Sequence, residues 1–172
     1  MNRQEKLLTG LQLNTMTGVE IGPLHRPAVQ KSEGRIFYVD FADAEYSRKN
    51  YANNPGVDTS NIVEVDIVLD ETPLHCSLER LGRLDYVIAS HVVEHVPDLI
   101  AWFRELYLSL APSGTVRLAV PDRRFTFDYI RRETQLADVL NAYLHNQKKP
   151  SAICMLDFYL NARIVDLSLI HI

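Results

Sequence analysis

Between positions 84 and 122 the hydrophobic pattern predicts a strand, a polar corner, a helix and a second strand in immediate succession. Asp85 opens a short apolar run, 86–89, whose length and branched side chains suit a strand buried on both faces. The run then breaks into Ser90, His91, Glu94 and His95, and in open α/β sheets ligands bind beyond such strand ends. After Pro97 and Asp98, the residues Leu99, Trp102, Phe103, Leu106 and Leu110 recur at helical spacing and form one apolar stripe. Pro112, Ser113 and Gly114 predict the end of that helix, and 115–120 supply the next strand.

Upstream, the runs 18–21, 35–39 and 62–65 predict three more strands, followed by Gly22, Asp40 and Asp66. Residues 42–53 read as a helix with Asp43 able to cap it, and Leu7, Leu8, Leu11 and Leu13 make a weaker helical pattern. Strands alternating with helical segments predict an α/β fold with a mostly parallel sheet and crossover helices. Beyond Asp122 the character turns helical: 134–146, capped by Thr134, and 151–164, opened by Pro150 and Ser151. No further strand pattern follows.

A length of 172 residues suits one domain with its own core, and 47% apolar with 23% charged residues is the balance of an ordinary soluble globular chain. A net charge of -4 gives no electrostatic basis for binding nucleic acid; Arg123-Arg124, Arg131-Arg132 and Lys148-Lys149 read as solvated faces. Cys76 and Cys154 lie far apart without a CxxC pairing, which suits packed thiols in a reducing cytoplasm. No apolar run approaches the roughly 20 residues that span a bilayer, and the start lacks a signal-peptide core. The expectation is a cytoplasmic protein with no membrane partner.

Candidate chemistry gathers at the strand ends. In Glu20-Ile21-Gly22-Pro23-Leu24-His25-Arg26 a single glycine follows the first strand, with Leu24 and Arg26 where a dinucleotide fingerprint has its later glycines. A dinucleotide site needs those glycines so that backbone can approach a pyrophosphate. Asp40 ends the second strand eighteen residues after Gly22, where a carboxylate can accept hydrogen bonds from both ribose hydroxyls. That indicates a nucleoside without saying which one. His91-Val92-Val93-Glu94-His95 also fits the inverted zincin pattern H-x-x-E-H, but Pro97 follows almost at once and no third ligand is evident. The expectation is no metal site.

The block 84–122, with Glu94-His95 after the strand end, resembles the fourth strand, following helix and fifth strand of class I S-adenosylmethionine-dependent methyltransferases. The resemblance extends back to about Thr17, where Glu20 and Gly22 match the start of that family's first-strand motif. It implies a Rossmann-like three-layer sandwich with five strands present and the family's last two missing. It divides the chain into an incomplete methyltransferase domain, 1–166, whose part 123–166 is helical, and a tail, 167–172, that looks like translated adapter sequence.

The resemblance further implies S-adenosylmethionine as cofactor. Glu20 and Gly22 would lie at its methionine part and Asp40 at the ribose. Asp66 would reach the adenine amino group with Ile67 flanking the ring, Asp70 and Glu71 competing for Asp66's place. Ser90 would hold the methionine end, and Arg26 could neutralise its carboxylate. Methyl transfer is an in-line displacement that depends on positioning, and a general base helps only where the acceptor must lose a proton. His91 and His95 are the candidates, with a structural or cofactor-positioning role favoured for His95. The expected reaction is methyl transfer to an unidentified small-molecule or glycan-type acceptor. The rivals are a non-catalytic nucleoside-binding relative, a nicotinamide-dependent reductase, disfavoured also by the lack of a Tyr-x-x-x-Lys pair, and a zinc hydrolase.

Overall fold

A computed structural model describes residues 1–163. Five strands, β1 (Thr17–Ile21), β2 (Arg35–Asp40), β3 (Ile67–Val68), β4 (Leu84–Ser90) and β5 (Leu110–Ala119), form one sheet in the order β3-β2-β1-β4-β5. Every ladder is parallel, so all five carboxyl ends share one edge. The chain steps outward from β1 to β3, then returns to the other side of β1 for β4 and β5. The switch point therefore falls between β1 and β4. This is the α/β fold with a parallel sheet that the hydrophobic pattern predicts, in the Rossmann-like form with cover on both faces that the resemblance implies.

Alternation along the strands sorts the core into two layers. Val19, Ile21, Val87 and Ala89 face helices α3 (Leu74–Leu78) and α4 (Leu99–Ser109), burying Leu74, Leu78 and Leu106 among them. Tyr86 and Ile88 face the opposite way, onto Leu7 of helix α1 (Arg3–Leu8) and onto Ala28 and Val29. Gly18 makes room on that side: a Cβ there would lie 2.1 Å from Cζ of Tyr86, whose ring occupies the space.

The crossover from β1 to β2 differs from the expected helical connection, because segment 22–34 is an irregular loop. Its Ala28 and Val29 are fully buried, so their backbone groups need partners that a helix would have supplied. Side chains supply them. The Glu20 carboxylate accepts from the Ala28 N–H at 2.8 and 2.9 Å and from the Val29 N–H at 3.3 Å. Gln4 Nε2 donates to the Ala28 carbonyl at 2.8 Å, and the Tyr38 hydroxyl donates to the Val29 carbonyl at 2.7 Å.

Two strand expectations are corrected. The third strand is Ile67–Val68 instead of 62–65, because the Val63 N–H turns to the Leu24 carbonyl at 2.9 Å, drawing the apolar run onto the loop. After α4 the chain enters β5 directly at Leu110, and the Pro-Ser-Gly stretch is a bulge inside that strand. Leu84 pairs with Leu110 and Tyr86 with Thr115; the Gly114 backbone packs so closely that a Cβ would lie 2.8 Å from the Leu84 carbonyl oxygen.

The remaining helices are α2 (Ala44–Asn50), shorter than expected and capped by Asp43, α5 (Leu136–Leu144) and α6 (Ala152–Asn161). Helix α5 starts two residues after Thr134, with the Gln135 N–H donating to Asp138, and α6 is capped by Ser151. Among the described residues β5 pairs only with β4 and is an edge strand. Leu136, Leu144, Ile153 and Tyr159 project from α5 and α6 into solvent. No helix of the described residues is long and apolar enough to cross a membrane. Ile164 and the expected tail 167–172 lie outside the described residues.

Candidate functional site

The carboxyl edge at the switch point is where backbone strain collects. Gly22 has φ +68°, and its N–H donates to the Val39 carbonyl at 2.9 Å. A Cβ on it would meet Cγ2 of Val92 at 3.0 Å, so the turns after β1 and β4 close on one another there. Of the three non-glycine residues in the left-handed region among the described residues, two lie here, Leu24 at +47° and His91 at +58°, and the third, Asn146, lies in the turn after α5. Each such residue costs on the order of 1–3 kcal/mol, and such residues cluster at functional sites.

Register brings the candidates together. Ile21 pairs with Val39 on one side and Ala89 on the other, so Gly22 lies between Asp40 and Ser90 at adjacent strand ends. Asp40 Oδ1 accepts from the Phe41 N–H at 2.7 Å, and burial raises its pKa above the usual carboxylate value despite that bond. Ser90 Oγ accepts from Nη1 of Arg3 at 3.1 Å. The His91 N–H donates to the Ala119 carbonyl, which ties the turn to β5. Its exposed ring has Nδ1 3.5 Å from Oε1 of Glu94.

His95 closes the next turn, its N–H donating to the Val92 carbonyl at 2.9 Å. Between His91 and His95 lies a single 3-10 turn, Val93–His95, where an H-x-x-E-H site would need a continuous α-helix. The local backbone does not have the form that the zinc-hydrolase reading requires.

Three of the implied cofactor residues are not set on this edge. Glu20 points under the loop, and desolvation by burial raises its pKa to about 7 even though the Ala28 and Val29 amides and the charge of Arg3 pull the other way. Its carboxylate supports the corner instead of facing a ligand. Asp66 precedes β3 where it was expected to end a strand: its Oδ2 accepts from the Tyr38 N–H at 2.7 Å and its Oδ1 pairs with Lys31 Nζ at 2.6 Å. Ile67 is buried in the core beside Val39 and Leu78, so it is not set to flank an adenine ring. The β3 edge position belongs to the residues after it, Val68 to Asp70. The Leu69 N–H donates to the Asp40 carbonyl, and exposed Asp70 accepts from the Thr72 N–H at 2.7 Å. Side-chain and backbone hydrogen bonds from Thr72 hold the Asp70 carboxyl below its ordinary pKa.

Arg3 was not among the sequence candidates. Only the packing of α1 brings it within reach of β4, and no local pattern marks it. Arg26, a sequence candidate, is exposed, and its carbonyl accepts from Nη2 of Arg3 at 2.9 Å. A separate cavity of about 360 Å³ opens at the opposite, amino edge, where α3 meets the end of α4. There Nδ1 of His75 contacts Glu105 Oε2, joining the two helices. It lies away from every strand's carboxyl end.

Residues 7–158 match a family model described as a methyltransferase domain, a span that takes in all five strands. The chain belongs to that family. No curated protein matches it. Among solved structures, the CurJ carbon methyltransferase aligns with 64% of this chain and 31% of its own, at 16% identity and a TM-score of 0.44. The CcbJ methyltransferase of Streptomyces caelestis aligns over 67% and 50%, at 17% identity and 0.42. A putative S-adenosyl-L-methionine-dependent methyltransferase of Methanococcus maripaludis aligns over 67% and 53%, at 20% identity and 0.43. At such scores these likenesses add nothing to what the strand order already defines. The chain spans about a third to a half of the length of these structures.

Proposed function

We propose that this chain transfers a methyl group from S-adenosylmethionine to a small-molecule or glycan-type acceptor. The observation that carries the reading is the corner after β1. It has one close-approach glycine, Gly22, and leads into the irregular loop 22–34, with Asp40 at the adjacent strand end. A dinucleotide's pyrophosphate needs a helix N-terminus at that point. A loop in its place, beside a carboxylate suited to ribose hydroxyls, favours a nucleoside without pyrophosphate, and family membership favours the methyl donor.

Bound there, the cofactor's sulfonium supplies an activated methyl group. The Gly22 backbone would lie against the methionine part, Asp40 would accept from the ribose, Val68 to Asp70 would flank the adenine, and Ser90 would face the methionine end. His91 is then the group suited to take a proton from the acceptor, with Glu94 orienting its ring and stabilising the charge that forms. His95 supports the turn. We take 1–166 as one domain and the segment after Asp122, which carries α5 and α6, as the acceptor side. The -4 net charge favours an acceptor other than nucleic acid. Cys76 and Cys154 are exposed where packed thiols were expected, and as free thiols they favour a cytoplasmic setting.

Calorimetric titration with S-adenosylmethionine and with NADH tests the reading. S-adenosylmethionine is expected to bind and NADH to fail; the reverse would replace the proposal with a reductase. Cofactor binding without turnover of any acceptor would favour a non-catalytic nucleoside-binding relative. With an acceptor hydroxyl, His91→Ala is expected to lower kcat by about 10²-fold or more while leaving cofactor affinity unchanged.

A further inference from the structure

One cation, Arg3, reaches both the end of β4 and the loop after β1 at the switch point. Arg3 opens α1, which is capped by its own residues and fastened to the loop after β1. Asn2 Oδ1 accepts from the Glu5 N–H and Glu5 Oε2 accepts from the Asn2 N–H, each at 2.9 Å. Leu7 is buried against Ala28 and Val29, and Gln4 holds the Ala28 carbonyl. From that anchor the guanidinium spans both lips of the crevice, Nη1 on Ser90 Oγ at the end of β4 and Nη2 on the Arg26 carbonyl in the loop after β1.

Both partners are neutral. Among the described residues Arg3 makes no ion pair, and the carboxylate whose charge it feels, Glu20, has its oxygens on the Ala28 and Val29 amides. A guanidinium carries five N–H donors in a fixed fork, so two engaged donors leave three for a ligand. The charge is thus pre-positioned by two hydrogen bonds at the point where the sheet changes direction, which is where ligands of such sheets lie.

We infer that Arg3 is the docking cation for the α-carboxylate of the methionine part of S-adenosylmethionine. The inference rests on the cofactor reading above and replaces Arg26 in the role that resemblance suggested for it. Arg26 contributes its carbonyl as a brace, and Ser90 contributes its hydroxyl. The carboxylate would take the unused donors of the fork, as guanidinium–carboxylate pairs do. Arg3 then makes the site selective for a nucleoside that carries an amino-acid carboxylate over one that does not.

The test compares S-adenosylmethionine with its decarboxylated analogue, which keeps the sulfonium and the amine and lacks only the carboxylate. Calorimetry on the 172-residue chain is expected to show tighter binding of S-adenosylmethionine by about tenfold or more. Arg3→Met is expected to weaken S-adenosylmethionine by about 10- to 100-fold and the analogue by less than about twofold. Arg3→Lys keeps the charge without the fork and should fall between, and Arg26→Met should leave both affinities in place. Equal losses for the two ligands in Arg3→Met, or a carboxylate-selective loss in Arg26→Met, would overturn the assignment. Should Arg3→Met fail to fold, the preference of the wild type and its partial loss in Arg3→Lys decide; equal wild-type affinities overturn the inference while leaving the cofactor reading intact. A wild type that binds neither ligand overturns both.

Discussion

The connections that leave β1 and β4 start alike, at strand ends with residues in the left-handed region, and then solve the same problem in opposite ways. After β4 the chain passes through the short segment 91–98, with its 3-10 turn Val93–His95, into α4, whose backbone satisfies itself and which needs from its surroundings little more than the Asp98 cap, Oδ1 accepting from the Ala101 N–H at 2.9 Å. After β1 it forms an irregular loop whose buried Ala28 and Val29 peptide groups are satisfied by Glu20, Gln4 and Tyr38, side chains from three separate elements. A helix carries its hydrogen bonds with it; a buried loop borrows them. The borrowed kind ties the loop's stability to the protonation of one carboxylate, and it leaves the mouth of the crevice without a helix N-terminus.

The largest effect is expected from removing the lender. Glu20→Ala leaves the buried Ala28 and Val29 amides without acceptors, at about 1–3 kcal/mol each, and should lower unfolding free energy by roughly 2–6 kcal/mol in urea titrations. A loss below about 1 kcal/mol would mean that water replaces the carboxylate and that the contrast between the two connections is slight.

Next in size is the pH dependence. Burial raises the Glu20 pKa to about 7 from 4.5, so between those values the folded chain binds more protons than the unfolded one. Stability from this group is therefore fully present below about pH 4.5 and is lost as pH rises through about 7. Relative to Glu20→Gln, the wild type should lose on the order of 3 kcal/mol between pH 4.5 and 8, read from urea midpoints at each pH. A difference that stays constant across that range would place the carboxylate outside the linkage.

A smaller change is expected at the ligand side of the same corner. Asp40→Ala should weaken S-adenosylmethionine by about 1–3 kcal/mol if its carboxylate accepts from the ribose, with the fold intact by thermal melt. Unchanged affinity would remove Asp40 from the site. The least change belongs to the self-sufficient connection: Asp98→Ala should cost about 1 kcal/mol of stability, because it removes one cap and leaves the helix's own ladder in place. A cost matching that of Glu20→Ala would erase the distinction.

Four of the five strands stand close to where their apolar runs lie, since a run buried on both faces is a local signal. The third strand does not follow that rule. It is two residues long and exists because Ile67 and Val68 pair with Val39 and Asp40, while the more promising run before it is spent covering the loop. That displacement put Asp66 before β3 and Ile67 within it, and left Val68 to Asp70 at its carboxyl end. Gly22, Asp40, Ser90 and His91 are grouped at one edge because each ends or follows a strand whose end was visible in the sequence. The direction of a side chain was not visible, and so the acidic residue beside Gly22 proved to face the loop.

The sequence by itself determined the α/β class, the parallel sheet, the strand ends that carry Gly22, Asp40 and Ser90, and the existence of α4, although Phe103 of its expected stripe is exposed and Leu110 belongs to β5. All of these depend on periodicity and on turn chemistry within a few residues. Only the tertiary structure decided that the first crossover is a loop, that Glu20 supports it, that Asp66 serves Tyr38 and Lys31, and that Arg3 reaches across the crevice. Each of those depends on partners remote in sequence, and a hydrogen bond between residues 3 and 90 leaves no trace in the pattern around either of them.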